Sequence, residues 1–215
     1  MFSKILLIVT FYGIIFIAGC SGSGNTDEDS ENYKSGKKED AKINTDKSSE
    51  SLWINISAIA KAEQQNDMYQ RLKDSTYLYW LNNELIILEN STKCNIFALN
   101  VLFKAGCKCP EQNTLTYDLM DTSKFNDIFP VIKINKNDTS DLDLIQKGDL
   151  IIWNGHVIIS ESIMNINDKY YAKAWWSGTK QENNGVNIIN DVVHGNYPLD
   201  SDSGEFIVRR PLLNK

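Results

Sequence analysis

The stretch "TKCNIFALNVLFKAG", residues 92 to 106, decides the fold, because a cysteine opens an almost entirely apolar run there. The apolar residues recur at helical spacing, and Gly106 is suited to the left-handed conformation that ends many helices. The pattern predicts a buried helix from Cys94 to Ala105. On a helical projection Cys94 shares a face with Ala98, so we expect the thiol to point at a neighbouring sheet rather than at solvent.

The sheet is expected downstream, where five short β-branched or aromatic runs are separated by turn residues. The runs are Asp149 to Trp153, His156 to Ser160, Tyr170 to Trp176, Gly185 to Ile189 and Glu205 to Arg210. Only Asn154 and Gly155 separate the first two runs, and this pair favours a two-residue hairpin of type I′. Helices followed by strands predict an α+β domain, with the cysteine helix packed on an antiparallel sheet of about five strands.

Two other segments are predicted to be helical. "LWINISAIAKAEQQ" places apolar residues on one helical face, so ordered structure is expected to begin near Leu52. A shorter helix is expected around Asp118 to Phe129. The segment 76 to 88, "TYLYWLNNELIIL", is apolar and aromatic but cannot be assigned from its pattern. The sequence has no Gly-rich phosphate loop and no cluster with metal-ligand spacing, so we expect neither a cofactor nor a metal.

The amino terminus indicates export. Lys4 is followed by an apolar run from Ile5 to Ala18, which is typical of a secretory signal and too short to favour a spanning helix. "IAGC" resembles the lipobox of bacterial lipoproteins, which implies a signal peptide over residues 1 to 19 and a lipid on Cys20. An uncleaved anchor and a plain secreted protein are the alternatives. In each case the domain is expected outside the cytoplasm, in the cell envelope, with the membrane as a partner through the anchor.

Residues 20 to 50 are predicted to be the lipidated cysteine and a disordered tether, because this polar stretch has almost no aliphatic residues. Residues 51 to 215 are predicted to be the folded domain. The formal net charge of -6 and the pI near 5.0 provide no basic surface for a phosphate backbone, which excludes nucleic acid as a partner. The sequence does not indicate an oligomeric state.

The cysteines suggest one free thiol in the domain. If Cys94 to Ala105 is helical at about 1.5 Å per residue, Cys94 and Cys107 lie on the order of 20 Å apart, beyond the roughly 7 Å limit between the α-carbons of a disulfide. We therefore expect Cys94 to be free. Cys107 and Cys109 can be bridged under strain, free, or paired with another chain. A zinc site built from these two cysteines and a histidine lacks the usual ligand spacing.

The position of Cys94 suggests nucleophilic chemistry. A helix amino terminus carries unsatisfied N–H groups and partial positive charge, which favour the thiolate and lower the pKa of a thiol. A general base is then needed, and the chain contains two histidines. His156 is the better candidate because it opens a strand that packs against the cysteine helix, whereas His194 lies in "DVVHGNYPLDSDSG", a predicted loop. The alternative is that Cys94 is an ordinary buried core residue.

Two linked motifs resemble those of a known enzyme group. "TKCNIFALNVLFKAGCKCP", from Thr92, resembles the cysteine helix of NlpC-type cell-wall peptidases and of their CHAP amidase relatives. "KGDLIIWNGHVIISES", from Lys147, resembles the second signature of the same group. The resemblance implies a papain-like α+β fold and hydrolysis of an amide in peptidoglycan. It also implies that Cys94 is the nucleophile and that His156 is the general base, which later protonates the leaving amine. The backbone N–H of Cys94 would help to hold the oxyanion.

The third catalytic residue of those families is not evident in this sequence. It usually lies on the strand after the histidine strand and accepts a hydrogen bond that orients the imidazole. The aligned position is Lys173, whose protonated amine has no acceptor to offer. Ser160, Glu161 or Ser177 serves instead if the alignment shifts. A backbone carbonyl, or weak or absent catalysis, is the other alternative.

Substrate contacts are expected from aromatic residues beside the two motifs. Trp153, Trp175 and Trp176 can line a groove for a stem peptide or a glycan, or they can belong to ordinary sheet packing. The partner that the resemblance implies is peptidoglycan or another peptide substrate.

Three functions are compatible with these features. The first is a lipid-anchored cysteine hydrolase that cuts a peptide or N-acetylmuramoyl-alanine type amide, a stem-peptide endopeptidase or amidase. The second is a catalytically degenerate member of the family that binds peptidoglycan or another envelope protein. The third is an acyl- or peptidyl-transferase, in which an amine rather than water resolves the thioester on the same cysteine.

Overall fold

The computed structural model describes the protein in several stretches. They are residues 37–70, 75–78, 84–87, 92–135, 139–180, 188–199 and 204–214. The predicted signal peptide, the predicted lipidation site Cys20 and the predicted tether up to residue 36 lie outside the described residues. Among the helices of the described stretches, none combines the length and the apolar character that a bilayer span requires.

Three α-helices occur in the described residues. They are α1 (Lys37–Glu63), α2 (Cys94–Lys104) and α3 (Thr116–Met120). α2 begins at Cys94, as the sequence predicts, and Gly106 adopts φ +88° just beyond its end. α1 begins at Lys37 rather than near Leu52, which corrects the predicted start of ordered structure. The Lys, Glu and Ala residues of "KKEDAK" are good helix formers, which favours a helix at this start.

The strands form a hairpin and a larger antiparallel sheet. β1 (Ser75–Leu78) and β2 (Glu84–Ile87) pair with each other in the segment that the sequence left unassigned. The sheet has the order β3-β8-β4-β5-β6-β7. Its strands are β3 (Val131–Ile132), β4 (Leu150–Trp153), β5 (His156–Ile166), β6 (Lys169–Lys180), β7 (Ile188–Pro198) and β8 (Phe206–Arg209). The predicted α+β class with an antiparallel sheet is confirmed, with six strands because the short β3 pairs with β8.

The two-residue turns on either side of β5 differ in type. β4 and β5 pair with Trp153 opposite His156, so Asn154 and Gly155 form the predicted two-residue turn. Gly155 has φ +92°, but Asn154 is not among the residues with positive φ, so the turn is not of type I′. Asn167 and Asp168 between β5 and β6 have φ of 52° and 62°, and this turn has the positive values that type I′ requires.

The sheet has a hydrophobic core on each face. The helix-side core contains residues of α1 and α2 together with Val157, Ile159 and Trp175. The far-side core contains Trp153, Ile158 and Trp176, among others. Successive strand residues alternate between the two cores, because side chains along a strand point to opposite faces. This alternation determines which residues of β5 can face α2.

Arg209 organises the segment between α3 and β3. The side chain is fully buried in β8 and donates to four backbone carbonyls, at distances of 2.6 to 2.9 Å. The acceptors are the carbonyls of Leu119, Asp121, Lys124 and Phe129. The helix predicted around Asp118 to Phe129 is therefore wrong, since α3 ends at Met120 and three carbonyls beyond it accept from the Arg209 guanidinium. A helix would have used those carbonyls for its own hydrogen bonds.

Replacing Arg209 by methionine is expected to destabilise the protein by about 3 kcal/mol, because several buried carbonyls lose their donor. The free energy of unfolding in urea measures this effect. Lys124→Met is the matched control, since it removes an exposed ion pair with Asp118 and should change the urea midpoint little. Equal midpoints for the Arg209 variant and the wild type would contradict this role.

Candidate active site

The start of α2 is fixed by its neighbours on several elements. Lys93 precedes the helix and is fully buried, and its Nζ donates to the carbonyl of Met68. The backbone N–H of Lys93 donates to Asn190 Oδ1 at 2.9 Å, which ties the helix start to β7. Gly178 of β6 has φ +75°, and a Cβ at this position would lie 2.7 Å from Thr92 Cβ. A glycine is therefore required where β6 approaches the helix start.

Cys94 points into the protein, as the helical projection predicts. Its side chain belongs to the helix-side core and is 2% exposed. The sulfur lies 3.7 Å from Thr92 Oγ1 and 3.8 Å from the carbonyl oxygen of Gly155. The backbone N–H groups of Val157, Asn95 and Cys94 itself also favour the charged form of the sulfur. These donors favour the thiolate form of Cys94, as its position at a helix start predicts.

Burial nevertheless raises the pKa of Cys94, because loss of solvation outweighs the stabilising contacts of Thr92 and the N–H groups. The expectation that the helix terminus lowers this pKa is therefore corrected. In the resting protein the thiol is protonated at neutral pH, and it is not a preformed nucleophile.

His156 occupies the predicted first position of β5, but its ring faces away from α2. The imidazole stacks on Tyr197, with ring centroids 5.0 Å apart and planes at 22°, and lies 6.5 Å from the ring of Trp153. Both of these aromatic residues belong to the far-side core or pack against it. Val157 takes the position on the helix side. Burial lowers the pKa of His156 to about 4, so the imidazole is neutral at pH 7.

The Cys94 thiol lies against the backbone on either side of His156, but it is not hydrogen-bonded to the imidazole. The sulfur contacts the carbonyl of Gly155 and the N–H of Val157, which are the peptide groups on either side of His156. Nε2 of His156 is buried and has no hydrogen-bond partner within the described part of the chain. The structure therefore brings Cys94 to the start of β5 without joining it to the side chain of His156.

Lys173 lies in a second polar cluster, away from His156. Its Nζ lies 3.0 Å from Glu161 Oε1, and Glu161 Oε2 lies 2.7 Å from Nε2 of His194. The ring of His194 stacks on Trp175 at 4.2 Å. The pKa of the partly buried Glu161 carboxyl is lowered: its desolvation, which raises the pKa, is outweighed by hydrogen bonds from Lys173 and His194. Lys173 is thus an ion-pair partner of Glu161 and does not orient the imidazole of His156.

Sequence reasoning missed this cluster because it assigned His194 to a loop, whereas the residue lies in β7. β7 is the edge strand of the sheet, and polar residues are common on edge strands. The alternation of Val192, His194 and Asn196 with Val193 and Tyr197 was the signal that could have revealed a strand.

The other candidates for a third residue also have different roles. Ser177 Oγ donates to the carbonyl of Asn190, and this bond joins β6 to β7. Ser160 is fully buried, and its Oγ has no hydrogen-bond partner among the described residues. Neither hydroxyl is hydrogen-bonded to His156, so no polar side chain in the described stretches orients that imidazole through a hydrogen bond.

The three tryptophans suggested for a substrate groove are buried. Trp153, Trp175 and Trp176 are 1%, 4% and 7% exposed and contribute to the two cores. Their burial favours the alternative of sheet packing. A cavity of about 380 Å³ does not include Cys94 or His156. Its lining residues are Glu50, Leu142, Asp143, Ile145, Gln146, Lys147, Glu161, Ser162 and Ile163.

The described cysteines are all free, as expected for Cys94. Cys107 is buried, and burial raises its pKa to about 12. Cys107 and Cys109 are therefore not bridged to each other in this structure. Within the described stretches, no group of three or more His, Cys, Asp or Glu residues could hold a metal ion.

No protein-family model matches this chain, and no curated protein or solved structure is significantly similar to it. The observed architecture defines an α+β protein with a six-stranded antiparallel sheet and a buried cysteine at the start of a helix. The resemblance to NlpC and CHAP enzymes therefore rests on the two sequence motifs alone.

Iodoacetamide is expected to label Cys94 of the native protein more slowly at neutral pH than an ordinary exposed thiol, because burial raises its pKa. The labelling rate is measured by mass spectrometry of the peptide that contains Cys94. The same protein unfolded in urea is the reference and should label faster at every pH. Rapid native labelling near pH 6 would contradict the raised pKa.

His156 is expected to make stability depend on pH. Its pKa is about 4 in the folded protein and about 6.5 in the unfolded chain, so its stabilising effect is complete above pH 6.5 and decreases as the pH falls towards 4. Between pH 7 and pH 5 this difference lowers the free energy of unfolding by about 2 kcal/mol. Urea unfolding of His156→Gln should lack this contribution, whereas His194→Gln should keep it. A wild type equally stable at both pH values would refute the low pKa.

Proposed function

We propose that the protein is a cysteine hydrolase of the cell envelope, in which Cys94 attacks an amide bond of peptidoglycan and His156 transfers the proton. The observation that carries this proposal is the set of N–H donors around the Cys94 sulfur, next to the peptide groups that flank His156. A papain-like relation to NlpC and CHAP enzymes is part of the proposal. The predicted lipid on Cys20 would hold the enzyme at a membrane that faces its substrate.

The N–H groups at the start of α2 support this chemistry. In the resting state, the N–H groups of Cys94 and Asn95 lower the pKa of the thiol, although burial raises it by more. When the sulfur bonds to a carbonyl carbon, negative charge develops on the former carbonyl oxygen, and N–H groups at a helix start can stabilise that charge. The helix terminus thus serves both the thiolate and the oxyanion.

The proton transfers follow from the charge states of the two groups. A protonated thiol and a neutral imidazole require His156 to act as a general base, which removes the Sγ proton as the sulfur attacks. The carbonyl then forms a thioester as the amine leaves with the proton from His156. Water attacks the thioester, its proton passes through His156 to the sulfur, and the carboxylic acid is released. For these steps the imidazole turns from Tyr197 towards Cys94.

A second candidate function is a non-catalytic module that binds peptidoglycan or another envelope protein. The burial of the thiol, at 2% exposure, and the stacking of His156 on Tyr197 favour it. In that case Cys94 is a core residue that stabilises the start of α2, and the ring of His156 belongs to the far-side core.

Digestion of purified peptidoglycan tests the hydrolase. The wild type is expected to release fragments with new amino and carboxyl termini, detected by mass spectrometry. Cys94→Ala and His156→Ala should each lower the rate by about a thousandfold or more. Cys109→Ala and His194→Ala are the matched controls and should keep most of the activity.

The products also separate the alternatives. If an added amine is joined to the fragments in place of water, the enzyme is a transferase. A wild type that releases no fragments but sediments with peptidoglycan would replace the hydrolase by the binding module. Fragments released equally by Cys94→Ala would exclude a cysteine mechanism.

A further inference from the structure

Tyr197 lies beside the candidate site and contacts three aromatic rings. Its ring centroid lies 5.0 Å from that of His156, 5.2 Å from that of Trp153 and 5.3 Å from that of Trp176. The tyrosine packs against the far-side core through both tryptophans. The plane of the His156 imidazole is therefore set by an aromatic surface that is itself held in place.

The thiol lies against the same short piece of backbone. Cys94 Sγ contacts the peptide groups before and after His156, so the main chain already brings the two residues close together. The side-chain torsions of His156 then determine whether its ring lies beside Tyr197 or beside the sulfur. In the structure the ring lies beside Tyr197, with Nε2 buried and unpartnered within the described residues.

We propose that Tyr197 is a positioning residue that holds the imidazole of His156 away from the Cys94 thiol, and that loss of this stacking brings the imidazole to the thiol. The inference deepens the proposed function, because it concerns the same cysteine and histidine. In the turned state Nε2 accepts the Sγ proton, which converts the thiol and the neutral imidazole into a thiolate and an imidazolium. A substrate promotes this state if it binds more tightly when the ring is turned.

The rate of iodoacetamide labelling at Cys94 tests the inference without requiring hydrolysis. Tyr197→Leu removes the stacking surface and is expected to increase the labelling rate at neutral pH by roughly tenfold, because the turned imidazole becomes more populated. Tyr197→Phe retains an aromatic ring and should label like the wild type. In the double variant Tyr197→Leu/His156→Ala the increase should disappear, since no imidazole remains to accept the proton.

Tyr170→Leu controls for general loosening of the fold. Tyr170 packs against the same far-side core but has no ring contact with His156 among the described residues. An increase that also occurs in Tyr170→Leu, or that persists in the double variant, would overturn the inference, because it would show nonspecific exposure of Cys94. An unchanged rate in Tyr197→Leu would overturn it as well.

The labelling experiment can give a different answer from the digestion of peptidoglycan that tests the proposed function. Labelling controlled by Tyr197 and His156 in a protein that cuts no peptidoglycan would support the positioning role and reject the hydrolase. Hydrolysis that depends on Cys94, together with a labelling rate that does not change in Tyr197→Leu, would support the hydrolase and reject the positioning role of Tyr197.

Discussion

The burial of α2 is the constraint on which the rest of the structure depends. Every residue from Cys94 to Leu102 is buried, so the helix must be covered on all sides rather than along one stripe. α1 and the sheet supply most of this cover, and Lys93 and Gly178 close the amino end. The same cover removes water from the Cys94 thiol. Burial of the helix and the raised pKa of its first residue are thus one physical effect.

The sequence predicted the features that depend on local periodicity. The start of α2, the β4–β5 hairpin and the antiparallel sheet follow from the spacing of apolar residues and from turn residues, and the structure has them. The helix predicted around Asp118 to Phe129 fails because a distant residue, Arg209, takes up the backbone carbonyls. Such a contact joins positions far apart in sequence, so no local pattern could reveal it.

The direction of His156 shows the limit of sequence reasoning at the site. The prediction that β5 packs against the cysteine helix is correct, because Val157 and Ile159 share the helix-side core with Cys94. Strand parity decides whether the Cβ of the histidine points at that core, since neighbouring strand residues point to opposite faces. The direction of the ring also depends on the side-chain torsions. A motif gives the order of residues but not this parity. The role of Lys173 likewise depended on its pairing with Glu161 across the β5–β6 bulge.

The charge states of the two groups define what catalysis would require. Moving a proton from a thiol whose pKa is raised to an imidazole whose pKa is lowered to about 4 is unfavourable in the resting protein. Burial causes both shifts, because each charged form loses solvation. A direct contact between thiolate and imidazolium would offset part of this cost through their mutual attraction. Under the proposed mechanism, the turn of His156 away from Tyr197 would therefore be the step that converts the protonated Cys94 thiol into a reactive thiolate.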